Sequence, residues 1–374
     1  MKIGILGGGQ LARMIIEECY KYDFEFIVLS KTSDSPAGKI TRHEITGDWN
    51  DENVLKDFAD KCDVITLENE FIDYKKIEYL ESLGKPVHPS SKIVKLIQDK
   101  LIQKQTLRDL DIPVADFCSV STKEDIIECA KNYGFPVILK SRTMGYDGKG
   151  NYKIDSEDDI DAAIETIGTR GELMCESFIN FKMEIAIQGA RNVSGEIRVY
   201  PVVETIQKNH ICHLVKASTN SFNEIKDEVE QITKKILEEL DYVGVMGIEM
   251  FFMDDNTILV NELAPRVHNT GHYTIEGAYV SQFENHVRAV LDLPLGDTGM
   301  SSESAVMINI LGEKDAPAKL VRLGSVIQND KVSVHIYGKD ETRIGRKMGH
   351  ITVLDKDLEI AEALAIKCRH EIDI

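Results

Sequence analysis

The stretch GVMGIEMFFMDDNTILVNELA, residues 244–264, is the most informative part of the sequence. Two apolar runs flank Asp255-Asn256, a pair that favours a tight turn, so the stretch predicts an antiparallel hairpin. With a two-residue turn there, Glu249 lies directly opposite Glu262. Opposed side chains of like charge destabilise a strand pair, and an unpaired charge among apolar neighbours is costly. Some binding partner must therefore compensate the two carboxylates.

A divalent cation bound between the two carboxylates would be such a partner. Oxygen-only ligands favour Mg²⁺ or Mn²⁺, with nucleotide phosphates completing the coordination shell. The alternative is a slip of the register by one residue, which turns one glutamate towards solvent. We predict that Glu249 and Glu262 are metal ligands.

Polar residues crowd the loop that follows this hairpin. The chain continues as APRVHNTGH and places Arg266, His268, Asn269 and His272 beside the predicted metal. The fork of an arginine suits a planar anion such as a carboxylate or bicarbonate. A lone histidine is usually structural, but four polar residues after a metal-binding strand indicate a site.

A glycine-rich loop, MGYDGKG at residues 144–150, joins two predicted strands at 137–140 and 151–154. It is not a Walker A loop, because no Ser or Thr follows the lysine and a strand comes next instead of a helix. Such a loop can close over phosphates as a lid, and Lys140 would direct a cation at the same phosphates. The alternative is an ordinary flexible hairpin tip.

A second glycine motif follows the first predicted strand. Gly7, Gly9 and Ala12 fit G-x-G-x-x-A, a spacing that lets backbone N–H groups approach a phosphate at a helix N-terminus. The second strand ends in Ser30-Lys31 without the acidic residue that an NAD ribose requires. This favours a ligand with a single phosphate over a dinucleotide, and a purely structural tight turn is the alternative.

Basic side chains are concentrated near the C-terminus of a chain whose formal net charge is −19. They are Lys339, Arg343, Arg346, Lys347 and His350. The run is either a solvated turn or a source of cations for a substrate phosphate. The overall acidity argues against nucleic acid and membrane surfaces as partners. It does not exclude a small phosphate-bearing ligand, which responds to charges within about 8 Å.

Strand and helix patterns alternate over residues 1–89, which predicts a parallel, doubly wound sheet. We predict three units, 1–89, 90–296 and 297–374, of which the last is rich in strands. No stretch approaches the ~20 apolar residues of a membrane span. Seven cysteines without a Cys-x-x-Cys motif fit a reducing compartment, so we expect a cytoplasmic protein.

Taken together, the motifs resemble those of the ATP-grasp ligases and, more closely, of the 5-(carboxyamino)imidazole ribonucleotide synthases of purine biosynthesis. The matching stretches are GGGQLARM (7–14), GYDGKG (145–150), YVGVMGIEMF (242–251), NELAPRVHNTGH (261–272), HIYGK (335–339) and GRKMGH (345–350). They occur in the same order along nearly the whole chain.

The resemblance implies an α/β ATP-grasp fold, with an N-terminal parallel-sheet domain and a small strand-rich C-terminal domain. It implies that bicarbonate and ATP carboxylate 5-aminoimidazole ribonucleotide by way of carboxyphosphate, releasing ADP and phosphate. ATP and Mg²⁺, or Mn²⁺, are the implied cofactors. Small molecules and a second copy of the chain, in a homodimer, are the expected partners.

The resemblance also implies individual roles. Nucleotide contacts are expected from Lys100, Lys140, Gly145, Tyr146, Asp147, Gly148, Lys149, Gly150, Asn151, Glu176, Ser177, Phe178, Ile179, Glu184, Gln207, Asn261 and Glu262. Substrate contacts are expected from Gln10, Leu11, Glu70, Tyr146, Lys149, Lys339 and Arg346. Catalytic roles are expected for Asp147, Arg266, His268, Asn269 and Lys339. The family usually has Arg in place of Lys149 and often has His near Gln207, so these two contacts depart from the pattern.

Three alternatives remain at this point. Other ATP-grasp enzymes, which use formate or glycine, and the biotin carboxylases share the lysine and glutamate features. A regulatory protein could keep the architecture without turnover, although the intact glutamate pair, Lys140 and the Arg266 cluster argue against it. An NAD-dependent oxidoreductase is disfavoured by the missing acidic residue after the second strand.

Overall fold

The computed structural model describes residues 1–143, 150–372 and 374. Its N-terminal region is a parallel sheet with the strand order β3-β2-β1-β4-β5. The elements are β1 (Lys2–Leu6), α1 (Gln10–Cys19), β2 (Glu25–Ser30), β3 (His43–Thr46), α2 (Glu52–Asp60), β4 (Val64–Leu67), α3 (Tyr74–Ser82) and β5 (Val87–His88). The predicted parallel sheet is confirmed. The short edge strand β3 was not predicted, because its sequence HEIT lacks an apolar run.

Two helices connect this sheet to the centre of the chain, α4 (Ser91–Gln98) and α5 (Lys100–Asp109). The sequence alone predicts a single helix here, capped by Ser90 or Ser91 and running to about Leu110. The helix breaks at Asp99, whose carboxylate accepts the backbone N–H groups of Leu101 and Ile102 and pairs with Arg142 at 2.5 Å. This contact with a distant arginine is tertiary, so no local pattern marks the break.

A four-stranded antiparallel sheet with the order β6-β9-β7-β8 comes next. Its elements are β6 (Phe117–Val120), α6 (Lys123–Tyr133), β7 (Val137–Ser141), β8 (Asn151–Ile154), α7 (Ile160–Ile167) and β9 (Leu173–Ser177). The helices α6 and α7 pack their apolar sides on one face of this sheet. The sequence predicts a capping box of Ser121 with Glu124 at the start of α6. The structure forms it one residue later, with Thr122 and Asp125.

A long sheet, with the order β15-β14-β10-β12-β13-β16-β20-β18 and with β11 beside β10, contains most of the remaining strands. Its region comprises β10 (Met183–Arg191), β11 (Ile197–Val199), β12 (Val203–Lys208), β13 (Ile211–Ser218), α8 (Lys226–Glu239), β14 (Gly244–Phe252), β15 (Ile258–Ala264), α9 (Thr274–Gly277), α10 (Gln282–Val290), β16 (Ser304–Leu311), β17 (Ala316–Pro317), α11 (Leu323–Val326), β18 (Val332–Ile336), β19 (Glu341–Thr342), β20 (Lys347–Asp355) and α12 (Leu358–Glu371). Strands β16, β18 and β20 therefore continue the sheet of the central region, whereas β17 and β19 pair with each other in a separate two-stranded sheet.

The hairpin of β14 and β15 places Glu249 opposite Glu262, as predicted. The predicted two-residue turn is wrong, because Met253 donates its backbone N–H to the carbonyl of Thr257 and leaves three residues in the connection. An irregularity restores the predicted pairing, since Asn261 is an extra residue on β15 between the pairs on either side. The bulge therefore preserves the opposition of the two carboxylates.

Helices α1 and α10 pack together and join the parallel sheet to the long sheet. Their apolar residues form one cluster with side chains of β1, β10 and β14. This packing brings the carboxyl ends of β1 and β4 next to the loop after β15. Within the described residues, no helix has both the length and the apolar composition needed to cross a bilayer.

Replacement of Gly7 by Ala tests how tightly the start of α1 is packed. Gly7 has a φ of 106°, and a Cβ atom there would lie 2.2 Å from Cγ of Glu68. We expect Gly7→Ala to lower the free energy of unfolding by more than about 1 kcal/mol, as measured by urea denaturation. Gly324→Ala is the matched control, because its Cβ would meet no atom within 4 Å. Equal stability of the two variants would contradict the prediction.

Candidate active site

Two carboxylates, Glu249 on β14 and Glu262 on β15, face each other across a strand pair. The side chains of Glu249 and Glu262 are both partly exposed, and Nζ of Lys100 donates to Oε1 of Glu262 at 2.6 Å. Burial, together with the charges of Glu262 and Glu184, raises the pKa of Glu249 to about 7. Nε2 of His268 lies 3.7 Å from Oε1 of Glu249. Glu249 is therefore the carboxylate whose charge is least compensated.

This donor set fits a hard divalent cation. Across residues 1–143, 150–372 and 374, no cluster of three or more His, Cys, Asp or Glu side chains is arranged to hold a metal by itself. A cation here would have only two carboxylates from the protein and would need oxygen atoms from a ligand. Mg²⁺ in nucleotide sites is bound in this way, by one or two carboxylates and the phosphates.

A second charged group lies on the neighbouring sheet. The carboxylate of Glu176, on β9, accepts from Nζ of Lys140 at 2.7 Å and lies 3.6 Å from Nζ of Lys104. Burial opposes ionisation of Glu176, but these two lysines hold its pKa below the ordinary value. Burial also lowers the pKa of Lys104 to about 8. Lys104 was not predicted as a site residue, although it lies one turn after Lys100 on the same face of α5.

The expected adenine and ribose contacts lie close to this group. Ser177 ends β9, and Phe178 and Ile179 follow it, with the Phe178 ring exposed. Glu184 lies on β10, where burial raises its pKa and Gln207 of β12 hydrogen-bonds its carboxylate. Gln207 therefore contacts Glu184, the residue that is predicted to bind the ribose, even though Gln207 stands where the family often has histidine.

The glycine-rich loop is described only at its edges. Gly150 accepts the backbone N–H of Ser141 at 2.8 Å, and Asn151 pairs with Lys140. Five predicted site residues lie outside the described residues: Gly145, Tyr146, Asp147, Gly148 and Lys149. Their assignment stays a prediction from the sequence.

On the substrate side, Arg266 makes a two-pronged ion pair with Glu70. Nε of Arg266 donates to Oε2 of Glu70, and a terminal nitrogen donates to Oε1 at 2.7 Å. Burial opposes ionisation of Glu70, but the charge of Arg266 holds its pKa below the ordinary value. The structure thus joins two predicted residues that the sequence analysis treated separately. An anionic substrate at Arg266 would share its fork with Glu70.

The two polar residues after Arg266 have different surroundings. Nδ1 of His268 lies 2.8 Å from the hydroxyl of Thr270, and burial lowers the pKa of His268 well below its ordinary value, so the ring is neutral. Asn269 is buried and exchanges two hydrogen bonds with Asn309, at 3.1 and 2.7 Å. Its side-chain amide therefore ties the loop to β16.

Lys339, in the C-terminal segment, contacts the start of α1 near the N-terminus. Its Nζ donates to Oε1 of Gln10 at 2.5 Å and to the backbone carbonyl of Lys347 at 2.6 Å. Burial, together with the charge of nearby Arg346, lowers the pKa of Lys339 to about 8. The structure therefore brings the predicted glycine turn and part of the C-terminal basic run together.

The rest of the basic run divides between solvent and core. Arg343 is exposed and pairs with Glu341 at 3.1 Å, as a solvated turn would. His350 is fully buried, and its Nδ1 lies 2.9 Å from the hydroxyl of Tyr337. Only a part of the run thus faces the cleft.

Glu68 is a site residue that sequence reasoning missed. It follows β4, and its carboxylate accepts the backbone N–H groups of Gly9 and Ala12. A Cβ atom at Gly9 would lie 2.4 Å from Oε1 of Glu68. Gly7 and Gly9 therefore leave the space that the Glu68 side chain occupies, whether or not they also contact a ligand. The signal was the acidic pair of Glu68 and Glu70 directly after a parallel strand.

Protein-family models match three consecutive parts of the chain. Residues 1–98 match the ribonucleotide synthetase preATP-grasp domain, and residues 105–283 match the ATP-grasp domain. Residues 305–364 match the phosphoribosylaminoimidazole carboxylase C-terminal domain. The predicted α/β ATP-grasp fold is confirmed.

Individual relatives agree with these matches. Phosphoribosylaminoimidazole carboxylase from Ogataea methanolica is 37% identical over 368 residues, which cover 96% of this chain but only 67% of that protein. The N5-carboxyaminoimidazole ribonucleotide synthetase structure from Thermotoga maritima is 38% identical, with a TM-score of 0.89, over 100% of this chain and 98% of that one. The N5-carboxyaminoimidazole synthase structure from Aspergillus clavatus, in complex with ADP and 5-aminoimidazole ribonucleotide, is 34% identical, with a TM-score of 0.90, over 99% and 98%.

The ion pair of Glu70 and Arg266 is testable by its pH dependence. The folded-state pKa of Glu70 is below the ordinary 4.5, so its stabilising contribution is present above about pH 4.5 and is lost as the pH falls. Glu70→Gln should lower the free energy of unfolding at pH 7 by about 1–3 kcal/mol, because Arg266 loses its charged partner.

Urea denaturation at pH 7 and near pH 4 measures this effect. The difference between Glu70→Gln and the unmodified protein should shrink at the lower pH. Glu78→Gln, an exposed change on α3, is the matched control and should alter stability at neither pH. A difference that stays constant with pH would contradict the prediction.

Proposed function

Because the chain belongs to the N5-carboxyaminoimidazole ribonucleotide synthase family of ATP-grasp enzymes, we propose that it carboxylates 5-aminoimidazole ribonucleotide with bicarbonate and ATP. The products are the N-carboxylated ribonucleotide, ADP and phosphate, in purine biosynthesis. The observation that carries the proposal is the position of the opposed pair Glu249 and Glu262. Lys100 pairs with Glu262 at 2.6 Å, and Arg266 lies close enough to feel the charge of Glu262.

The nucleotide is proposed to bind on the lysine side of the pair. Lys140 and Lys100 would release their carboxylates to contact the phosphates, since each forms one ion pair among the described residues. Glu176 and the backbone after β9 would contact adenine, and Glu184 the ribose. Exchange of one anionic partner for another keeps each lysine charged throughout.

Mg²⁺ is proposed to be held by Glu249 and Glu262, as the donor set favours. When bound, it would neutralise charge on the nucleotide phosphates. Asn261, as the bulge residue before Glu262, would contact the same ligand.

Bicarbonate is proposed to bind at Arg266. An oxygen of bicarbonate attacks the γ-phosphorus, and the bond from that phosphorus to the bridging oxygen breaks with departure of ADP. The exocyclic amine of the ribonucleotide then attacks the carboxyl carbon of carboxyphosphate, and phosphate leaves as the amine loses a proton. Neutral His268 would orient the reactants through hydrogen bonds, and Asp147 stays the sequence-based candidate for accepting the proton. Water must be excluded meanwhile, which is the proposed role of the lid.

The ribonucleotide phosphate is proposed to bind between α1 and the C-terminal segment. Gln10 and Leu11 would offer backbone N–H groups at the helix N-terminus, and Lys339 and Arg346 would offer charge. We also propose a homodimer in the cytoplasm, which sedimentation and fractionation of cells would test.

A direct assay tests the reaction. Phosphate release from MgATP would be followed with and without 5-aminoimidazole ribonucleotide and bicarbonate, and the carboxylated product would be identified by mass spectrometry. Release should require both substrates. Equal turnover with formate instead of bicarbonate would favour another ATP-grasp activity, and binding of ATP without turnover would favour a regulatory protein.

The metal assignment predicts the behaviour of Glu262→Gln. One of two carboxylate ligands becomes neutral, so turnover at ordinary Mg²⁺ should fall at least about tenfold, because the metal contributes several kcal/mol of charge stabilisation. Circular dichroism should show an unchanged fold, and excess Mg²⁺ should restore part of the activity. Glu239→Gln, exposed on α8, is the matched control. Near-normal turnover of Glu262→Gln would refute the assignment.

The lowered pKa of Lys339 predicts how substrate affinity depends on pH. A lysine with a pKa of about 8 is charged below that pH and loses its charge above it. The KM for 5-aminoimidazole ribonucleotide should therefore rise as the pH increases through about 8, whereas the KM for ATP should not.

The matched variant is Lys339→Arg, whose guanidinium stays charged over this range. Its KM for the ribonucleotide can differ at neutral pH, but it should not rise with pH. A KM of the unmodified enzyme that is constant between about pH 7 and pH 9 would count against a phosphate contact by Lys339.

A further inference from the structure

Three cysteines from three different elements meet behind the nucleotide-binding sheet. Cys118 lies on β6, Cys129 on α6 and Cys175 on β9, and all three belong to the apolar cluster between the helices and the sheet. Strand pairing sets Cys118 directly opposite Cys175. The three thiols lie close enough to influence one another's ionisation. None of them has a role in the proposed reaction.

Cys118 differs from the other cysteines in its exposure. All seven cysteines lie within the described residues, and six of them are buried. Cys118 is partly exposed because β6 is the edge strand of its sheet. Cys129 and Cys175, by contrast, are 2% and 0% exposed. A reagent in solution can therefore reach one thiol of the cluster, with two further thiols behind it.

The cluster also favours the thiolate of Cys118. Cys129 and Cys175 lower the pKa of the Cys118 thiol, whereas the pKa values of these two buried thiols are raised. The thiolate is the nucleophilic form of cysteine. A partly exposed thiolate next to a second thiol is the arrangement found at cysteines that peroxides oxidise reversibly.

We propose that Cys118 is a peroxide-reactive thiol that forms a disulfide with Cys175. The Cys118 thiolate attacks one oxygen of hydrogen peroxide, the O–O bond breaks, and hydroxide leaves, which gives a sulfenic acid. The sulfur of Cys175 then attacks the sulfenic sulfur. The S–O bond breaks, and the departing hydroxide takes the proton of Cys175 as water. In total, two thiols and one peroxide give one disulfide and two waters.

The strand geometry permits this bond. Directly opposed residues of antiparallel strands have Cα atoms about 4.5–5.5 Å apart. Disulfides span Cα separations of about 4.4–6.8 Å. The bond therefore requires only a small approach of the Cβ atoms, which would be shared by β9 and by β6, a strand that is hydrogen-bonded in the sheet along only one edge.

The bond would act on the nucleotide side of the same sheet. Cys175 directly precedes Glu176, and successive residues of a strand point to opposite faces. Displacement of β9 at Cys175 would therefore shift the carboxylate that contacts Lys140 and Lys104. This consequence rests on the proposed nucleotide site, whereas the oxidation itself does not.

Peptide mapping of the intact protein tests the oxidation. The protein is treated with hydrogen peroxide, its free thiols are alkylated, and the digest is analysed by mass spectrometry without reductant. We expect a linked peptide pair containing Cys118 and Cys175, which dithiothreitol separates. Absence of this pair, or a pair linking Cys118 to Cys129 instead, would overturn the proposal.

Two serine variants are matched controls. Cys175→Ser should lose the linked pair, whereas Cys129→Ser, which keeps a hydrogen-bond donor, should still form it. ADP affinity is then measured by calorimetry before and after oxidation, without reliance on carboxylation. Oxidation should change it roughly 2- to 30-fold in the unmodified protein and not in Cys175→Ser. An unchanged affinity, or the same change in Cys175→Ser, would overturn the coupling to the nucleotide site.

Discussion

The opposition of Glu249 and Glu262 is the constraint on which the arrangement of the site depends. Strand pairing holds the two carboxylates close together, and the bulge at Asn261 keeps them opposed despite a three-residue turn. Lys100 compensates Glu262 at 2.6 Å, whereas burial raises the pKa of Glu249 to about 7. The protein alone leaves one carboxylate poorly compensated. A ligand that brings a cation between the two carboxylates would relieve this repulsion. This one strand pair therefore favours ligands that bind together with a cation.

The cations of the cleft are already bound to carboxylates, and this explains how an acidic chain can receive anions. The pairs are Lys140 with Glu176, Lys100 with Glu262, and Arg266 with Glu70. An incoming phosphate or bicarbonate would take the place of a carboxylate at such a cation. Each cation would thus stay paired, while the released carboxylate needs another partner, as Glu176 has in Lys104 at 3.6 Å, because an unpaired buried charge is costly. The net charge of −19 acts over longer distances, where salt screens it.

The fold could be predicted where residues close together in the sequence determine the structure. Alternating strand and helix signals predicted the parallel sheet. The opposition of Glu249 and Glu262 was predicted from a two-residue turn, and it holds only because the bulge at Asn261 offsets the longer turn. Tertiary contacts overrode the other predictions. The helix break at Asp99 depends on Arg142, which is distant in sequence and invisible to a periodicity argument. Lys104 was missed because lysines are normally exposed, and only the fold brings it to a buried carboxylate.

The glycine motif at the start of α1 has two separate physical explanations, the binding of a phosphate and the close approach of Glu68. The spacing of Gly7, Gly9 and Ala12 predicted a phosphate site, yet the carboxylate of Glu68 accepts two of the backbone N–H groups there. A carboxylate at a helix N-terminus occupies the position that a phosphate would favour. The remaining N–H groups would have to bind a phosphate beside this carboxyl group, whose own charge would repel it. Lys339 lies close enough to feel the charge of Glu68 and can offset that repulsion. If the glycine turn binds a phosphate as proposed, it would therefore do so effectively only with the C-terminal segment packed against it.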